Sequence, residues 1–147
     1  MEKWLPVIAT VVAGSLVALQ APINSNLGKT VGTFAAASVS FAIGLTVLVV
    51  ITLVAGGGFG QVGEAADLRW YYLTGGILGA AYVTTVLLTV RELGAGGVTA
   101  ATIAGQLTMS VLIDRAGVLG LSERGLTLQR VAGIALLAAG TFLIVRE

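Results

Sequence analysis

Two amides inside a long uncharged stretch are the residues of this chain best suited to binding chemistry. Gln20 and Asn24 stand four residues apart, and no charge occurs between Lys3 and Lys29. This spacing places both amides on one face of a helix. Pro22 lacks a backbone N–H and therefore frees the carbonyl one turn earlier. Because such a face suits a cavity or a protein interface better than lipid, we predict that Gln20 and Asn24 bind substrate and that Pro22 is a hinge or a break in the helix.

A structural role explains the same residues. At 1.5 Å per residue, Gln20 lies about 24 Å along a helix from Trp4, which places it near the far membrane interface. Asn24 and Asn26 would then lie among the lipid headgroups and cap the turn that leads to Lys29. The sequence leaves both interpretations open.

A second line of polar residues recurs every four positions later in the chain. Its amide, Gln106, lies in mid-span and carries two donors and an acceptor that need partners, so we predict that it binds the same substrate. The other members of the line are secondary candidates for the site: Thr102, Ser110 and Asp114. The alternative is hydrogen bonding between helices, and for Asp114 it is an ion pair or helix-end anchor beside Arg115.

Tyr82 and a group of glycines complete the candidates. The phenol of Tyr82 is predicted to gate the site or to stack on a substrate, although it is equally suited to packing with its hydroxyl bonded to a neighbour. Small residues at helical spacing allow helix backbones to approach closely. We predict that four glycines pack helices within the chain or between two copies: Gly75, Gly79, Gly133 and Gly140.

The chain lacks the residues on which most enzymes and cofactor sites depend. Among its 147 residues there is no cysteine and no histidine, and its net charge is +1. This composition excludes disulfides, thiol nucleophiles, the usual general base and the usual zinc sites. Because there is also no phosphate loop and no block of basic residues, we predict no enzymatic activity, no metal, no cofactor and no nucleic-acid partner.

The elements that position these residues are membrane-spanning helices. The chain is 56% hydrophobic and 10% charged, whereas soluble domains are about 45–50% apolar and about 25% charged. A helix crosses a bilayer with about 20 apolar residues, and continuous apolar stretches favour helices over alternating strands. We predict an all-α integral membrane protein in which residues 1–147 form one bundle of five transmembrane helices, at about residues 4–27, 31–54, 70–90, 93–113 and 131–145.

The basic residues are distributed almost evenly between the two membrane faces that this topology defines. One face carries Lys3, Arg69, Arg115, Arg124 and Arg130, and the other carries Lys29, Arg91 and Arg146. Such a weak positive-inside bias is compatible with insertion in both orientations, and hence with an antiparallel dimer. It is equally compatible with a single orientation that has a cytoplasmic N-terminus.

Short motifs run in order along nearly the whole chain. They are Gln20-x-x-x-Asn24 with Leu27-Gly28, Ser40-Phe41-x-x-Gly44, Gly75-Gly76-x-Leu78-Gly79-Ala80-x-Tyr82-Val83, Leu93-Gly94-Ala95, Gly105-Gln106 with Asp114 and Gly117 downstream, and Arg130-x-x-Gly133-x-x-Leu136-Leu137-x-x-Gly140. Together they resemble the YdcZ family of the drug/metabolite transporter superfamily.

The resemblance implies a small multi-pass protein of a bacterial-type inner (plasma) membrane, surrounded by the lipid bilayer. Members of this family resemble one half of larger ten-helix transporters, which look like two five-helix repeats of opposite orientation. By analogy the chain would pair with a second copy or a close paralogue as an antiparallel dimer around a central cavity. Four-helix members of the superfamily use a glutamate in helix 1 for coupling, and this chain has no acid between Lys3 and Lys29.

The sequence therefore predicts a membrane transporter for a small molecule or metabolite. It would work by alternating access through a cavity between two antiparallel subunits. The alternative is a non-transporting membrane subunit or assembly factor, whose glycine-rich helix faces dock a larger partner and whose amides hydrogen-bond between helices.

Overall fold

The computed structural model describes residues 4–146, which are helical apart from short connections. The four α-helices are α1 (Trp4–Val31), α2 (Thr33–Val54), α3 (Gly75–Ala116) and α4 (Leu128–Val145). Two short 3-10 helices, Val62–Asp67 and Trp70–Thr74, lie between α2 and α3. No strand occurs within residues 4–146.

The four α-helices are long and apolar enough to cross a membrane. Helix α3 has 42 residues and would extend about 63 Å if it were straight, about twice the thickness of a bilayer core. It is interrupted at Gly94, where φ is 68° and ψ is 167°. We call the part before the break α3a (residues 75–93) and the part after it α3b (residues 95–116). The prediction of an all-α membrane protein is confirmed, with five apolar helical segments once α3 is divided at Gly94.

Helices α1 and α4 extend beyond the apolar stretches that predicted them, whereas two others begin later than predicted. Helix α2 begins at Thr33 rather than at residue 31, and α3 begins at Gly75 because residues 70–74 form a 3-10 helix. Helix α1 continues to Val31 rather than ending at residue 27, and α4 begins at Leu128 rather than at residue 131. Helical hydrogen bonding does not need to stop where the hydrocarbon ends, because polar residues sustain the same backbone pattern in the headgroup region. An apolar stretch therefore marks the membrane depth of a helix better than it marks the ends of that helix.

Helices α1 and α2 form an antiparallel hairpin connected through one residue, Gly32. Its φ of 89° is in the region that glycine adopts readily and other residues avoid. The Gly32 N–H donates to the Gly28 carbonyl at 3.0 Å, and the Ala36 N–H donates to the Gly32 carbonyl at 2.9 Å. These bonds close the turn without a loop and hold the end of α1 against the beginning of α2.

The chain divides into two compact units at the junction of Arg91 and Glu92. The first unit contains α1, α2 and most of α3a. Its core lies near the α1–α2 turn, where the small side chains of Ala36 and Ala37 pack with Val83 and Leu87. Leu87 is only 2% exposed. Small residues on α2 therefore allow α3a to approach closely at this end of the unit.

The second unit contains α3b and α4. The Thr141 hydroxyl donates to the Ala100 carbonyl across these helices at 3.0 Å. Gly97 faces α4, since a Cβ atom there would make an ordinary contact with Val145 Cγ2 at 3.5 Å. The segment between the helices is fixed by the Arg124 N–H, which donates to the Asp114 carbonyl at 2.8 Å.

Candidate functional site

Three of the four predicted substrate-binding residues surround one small cavity in the first unit. The cavity lies between α1 and α3a and has a volume of about 10 Å³, which is room for about one water molecule. Its lining residues define what we call the α1–α3a seam: Val17, Gln20, Ala21, Asn24, Tyr82, Val83, Val86 and Leu87.

Asn24 is the buried polar centre of the seam. The residue is 6% exposed, and its Nδ2 donates to Ser40 Oγ of α2 at 3.0 Å. A buried amide without a partner destabilises a protein by about 1–3 kcal/mol, and this bond relieves part of that cost. Asn24 therefore belongs to α1, is bonded to α2 and faces a cavity bordered by α3a.

Gln20 and Tyr82 offer the unbonded polar groups of the seam. Gln20 is exposed and Tyr82 is half-buried, and Tyr82 packs against the core formed by Ala36, Ala37, Val83 and Leu87. Neither side chain makes a hydrogen bond to residues 4–146, in contrast to Asn24. Their donors and acceptors are consequently free to bind a solute or water.

Pro22 lies within α1, between the buried seam residues Ala21 and Asn24 and one turn after Ala18. The helix continues through it from Trp4 to Val31 without interruption, so the predicted break does not occur and a hinge is the role that remains. The missing N–H of proline leaves the Ala18 carbonyl without its usual helical donor. Helix α1 therefore has one fewer backbone bond to resist bending at this level.

The second predicted polar line lies in the second unit, on α3b. Gln106 and Ser110 are exposed, whereas Thr102 and Asp114 are half-buried. Within residues 4–146, the side chains of Gln106, Thr102 and Ser110 make no hydrogen bond, although the neighbouring Thr108 donates to the Ala104 carbonyl of its own helix. An unpaired amide in a membrane-spanning segment is costly. Gln106 therefore needs a partner from outside the described part of its own unit, whether water, a solute or protein.

Asp114 forms an ion pair, but its partner differs from the adjacent arginine that the sequence suggested. Its Oδ2 lies 3.2 Å from Arg130 Nη1, and both side chains are less than one third exposed. Arg115 instead lies 3.6 Å from Glu123. The reason is geometric: consecutive helix residues point about 100° apart, whereas α4 begins beside Asp114 and brings Arg130 to it.

The predicted packing glycines divide into two kinds. A Cβ on Gly79 would lie 3.5 Å from Phe41 Cζ, so Gly79 serves packing within the first unit. A Cβ on Gly75, Gly133 or Gly140 would have no heavy atom within 4 Å. For these three glycines, the described chain supplies no close neighbour.

Sequence reasoning missed the contact between Arg91 and α1. Arg91 Nε lies 3.4 Å from Ser25 Oγ, and its Nη2 lies 3.4 Å from the Ser25 carbonyl oxygen. The guanidinium also lies beside Gly28, where a Cβ would make an ordinary contact with Arg91 Nη2 at 3.5 Å. The four-residue spacing between Leu87 and Arg91 could have indicated this contact, because it places Arg91 on the same face of α3a as Leu87.

The comparison with known families covers nearly the whole chain. The family described as "Putative inner membrane exporter, YdcZ" matches residues 5–143, a range that contains every candidate site residue. The match confirms the resemblance that the motifs indicated. No curated protein and no solved structure matches the chain.

Proposed function

The chain belongs to the YdcZ family of inner membrane exporters, and on that premise we propose that it exports a small polar molecule by alternating access between two antiparallel copies. The family and the apolar helices identify a multi-pass inner-membrane transporter. An exporter family also points to transport rather than to catalysis.

The observation that carries the proposal is the unpartnered amide of Gln106. This side chain is exposed on a membrane-spanning segment and has no hydrogen bond within its own unit, as described over residues 92–146. Polar groups at membrane depth are tolerated where they line a water-filled cavity or contact protein. A chamber shared with a second copy, or with a close paralogue, provides both water and contacts with protein.

The seam supplies the groups that would recognise the solute. Asn24 is held in place by Ser40 at 3.0 Å, and Gln20 and Tyr82 present free hydrogen-bonding groups beside it. With a volume of about 10 Å³, the cavity holds no solute larger than water. In the proposed cycle α1 and α3a therefore separate to admit the solute, and Pro22 allows α1 to bend as they do so.

The weak bias in the distribution of basic residues supports an antiparallel pair, because it leaves both orientations open. Five of them lie on one predicted face and three on the other, so charge gives little preference to either orientation. Two copies of opposite orientation would present the same seam to opposite sides of the membrane. Rocking of one copy against the other would then open the chamber to each side in turn.

The proposed chamber is testable without knowing the substrate, because the native chain has no cysteine. Gln106→Cys should react with trimethylammonioethyl methanethiosulfonate (MTSET), a hydrophilic cation, in intact membranes. Thr108→Cys is the matched control, since it lies at nearly the same depth on another face of α3b. We expect Gln106→Cys to react at least about tenfold faster, since water favours the reactive thiolate by one pKa unit or more. Equal rates at the two positions would overturn the aqueous chamber.

Orientation is tested with a second pair of single cysteines at opposite ends of the first unit. Gly63→Cys lies in the connection between α2 and α3, and Thr30→Cys lies at the α1–α2 turn; both positions are exposed. In intact cells, an impermeant maleimide should label a substantial fraction of each variant from outside. Labelling of only one variant would establish a single orientation and overturn the antiparallel homodimer.

A further inference from the structure

The α1–α3a seam continues past its cavity to a pair of residues that the proposed site does not use. On α3a, Leu87 lines the cavity, and Arg91 lies four residues later on the same face, about 6 Å along the helix. On α1, Asn24 lines the cavity and Gly28 lies four residues later. A Cβ on Gly28 would lie 3.5 Å from Arg91 Nη2. The guanidinium therefore lies against Gly28 of α1, at the end of the seam.

The contacts of Arg91 fix the guanidinium without neutralising its charge. Nε lies 3.4 Å from Ser25 Oγ, and Nη2 lies 3.4 Å from the Ser25 carbonyl oxygen. Both groups are uncharged, and Ser25 is buried, whereas Arg91 is exposed. A guanidinium has five N–H donors, so most of them stay free. The ion pairs within residues 4–146 join Arg115 to Glu123 and Arg130 to Asp114, and none uses Arg91.

The other charges near this end of the first unit do not cancel Arg91. Lys29 on α1 is also basic, and its Nζ donates to Asn26 Oδ1 at 2.9 Å. Helix α2 contains no charged residue. Glu92 follows Arg91, but consecutive residues lie about 100° apart around a helix, so it leaves α3a from a different face. The end of the seam is therefore positively charged.

We propose that Arg91, framed by Gly28 and Ser25, is an anion-binding subsite at the mouth of the seam, and that the exported molecule carries an anionic group such as a carboxylate or a phosphate. This inference rests on the proposed function, because it takes the seam as the path of the solute. A guanidinium binds such groups through two parallel N–H bonds. The amides of Gln20 and Asn24 then bind the uncharged part of the same molecule.

The test measures the electric potential inside the seam with two reagents of similar size and opposite charge. Gln20→Cys provides the reporter thiol, and the reagents are anionic sulfonatoethyl methanethiosulfonate (MTSES) and cationic MTSET, with the protein in discs of neutral phosphatidylcholine. Arg91→Gln should lower the rate of the MTSES reaction and raise the rate of the MTSET reaction. Each rate should change by about two- to tenfold, as expected for one charge about 10 Å from the thiol. Lys29→Gln removes an equal charge outside the seam and should change the ratio of the two rates by less than about twofold.

Each result decides between the proposals. If Arg91→Gln changes both rates in the same direction, or leaves their ratio unchanged, Arg91 is a structural clamp and the anion subsite is overturned. If Gln20→Cys reacts with neither reagent, the seam is dry and the proposed function fails instead. If the effect of Arg91→Gln vanishes when phosphatidylglycerol is added to the discs, Arg91 binds lipid headgroups and the subsite for solute is overturned.

A second measurement leaves Arg91 unchanged and so does not depend on how that variant folds. The MTSES labelling rate of Gln20→Cys is compared in tens of millimolar sodium benzoate and in choline chloride at equal ionic strength. Benzoate should lower the rate by about twofold or more. The reason is that a carboxylate bound to the guanidinium neutralises its attraction for the anionic reagent. Equal rates in the two salts would overturn the subsite.

Discussion

The two polar lines of this molecule share a four-residue spacing and each contains an amide, but the hydrogen bonding of the amides differs. In the first unit, Asn24 is 6% exposed and bonded to Ser40 on the neighbouring helix. In the second unit, Gln106 is exposed and has no bond within residues 4–146. Asn24 therefore stabilises the fold of its own unit, whereas Gln106 requires a partner from outside its unit. Spacing identifies a polar face, and the packing around that face determines what it does.

The two units also differ in the size and polarity of their cavities. The groove between α3b and α4 has a volume of about 570 Å³, but it is lined mainly by apolar side chains such as Ala101, Ala104 and Phe142. Thr141 contributes no free donor there, because its hydroxyl is bonded to the Ala100 carbonyl. A lipid chain or an apolar helix suits such a groove better than a polar solute does. The seam has far less room, but it holds the polar groups that recognition needs.

The largest expected effect on stability separates Asn24 from Gln106. Asn24→Leu should lower the free energy of unfolding by about 1–2 kcal/mol, because it removes the bond to Ser40 inside a buried site. Gln106→Leu should change the same quantity by less than about 0.5 kcal/mol, because no bond within the chain is lost. Unfolding in detergent micelles under monomeric conditions measures both. Equal losses for the two variants would mean that Gln106 does have a partner in its own chain.

The second expected effect concerns association rather than folding. Gln106→Leu should weaken self-association by about 1 kcal/mol, or roughly fivefold in Kd, if its amide contacts the other copy. Thr108→Val is the control, since the Thr108 hydroxyl is bonded to the Ala104 carbonyl of its own helix. Energy transfer between labelled copies in progressively diluted liposomes gives the affinities. Unchanged affinity for both variants would assign Gln106 to the solute chamber alone and not to the interface.

The sequence predicted the features that depend on local pattern. Apolar length locates the helices, and the interval between the third and fourth predicted spans, residues 90–93, lies beside the break at Gly94. The spacing of Gln20 and Asn24 likewise places both on the lining of one cavity. Helix ends were less accurate, because hydrogen bonding continues past the apolar residues that signal a span.

Contacts between distant residues lay beyond the reach of the pattern. The bond from Asn24 to Ser40 needs the hairpin at Gly32, and the contact of Arg91 with Ser25 joins residues 66 positions apart. Asp114 has an arginine beside it in sequence, but it pairs with Arg130. Each of these depends on which helix packs where, and a hydropathy pattern carries no information about that choice.

The third prediction compares two threonines to measure the bond that joins α3b to α4. Thr141→Val should lower the free energy of unfolding by about 0.6 kcal/mol, which is typical of a hydrogen bond between membrane helices. Thr46→Val is matched to it, because the Thr46 hydroxyl donates to the Ala42 carbonyl of its own helix at 2.9 Å. We expect that control to change stability by a few tenths of a kcal/mol or less. A control that costs as much as Thr141→Val would show that the loss comes from the hydroxyl and not from the link between helices.

The smallest expected effect distinguishes a glycine packed within the chain from one that faces outward. Gly79→Ala places its Cβ 3.5 Å from Phe41, which is an ordinary contact. The free energy of unfolding should therefore change by less than about 0.5 kcal/mol. A Cβ at Gly140 would contact nothing within 4 Å in the described chain. Because alanine favours the helix, Gly140→Ala should raise the free energy of unfolding of the monomer by a few tenths of a kcal/mol. If that face of α4 packs against the second copy, the added methyl group should weaken association by a similar amount. A Gly140→Ala variant that gains stability without losing affinity would remove this face of α4 from the dimer interface, and Gln106 would then be the main evidence for where the copies meet.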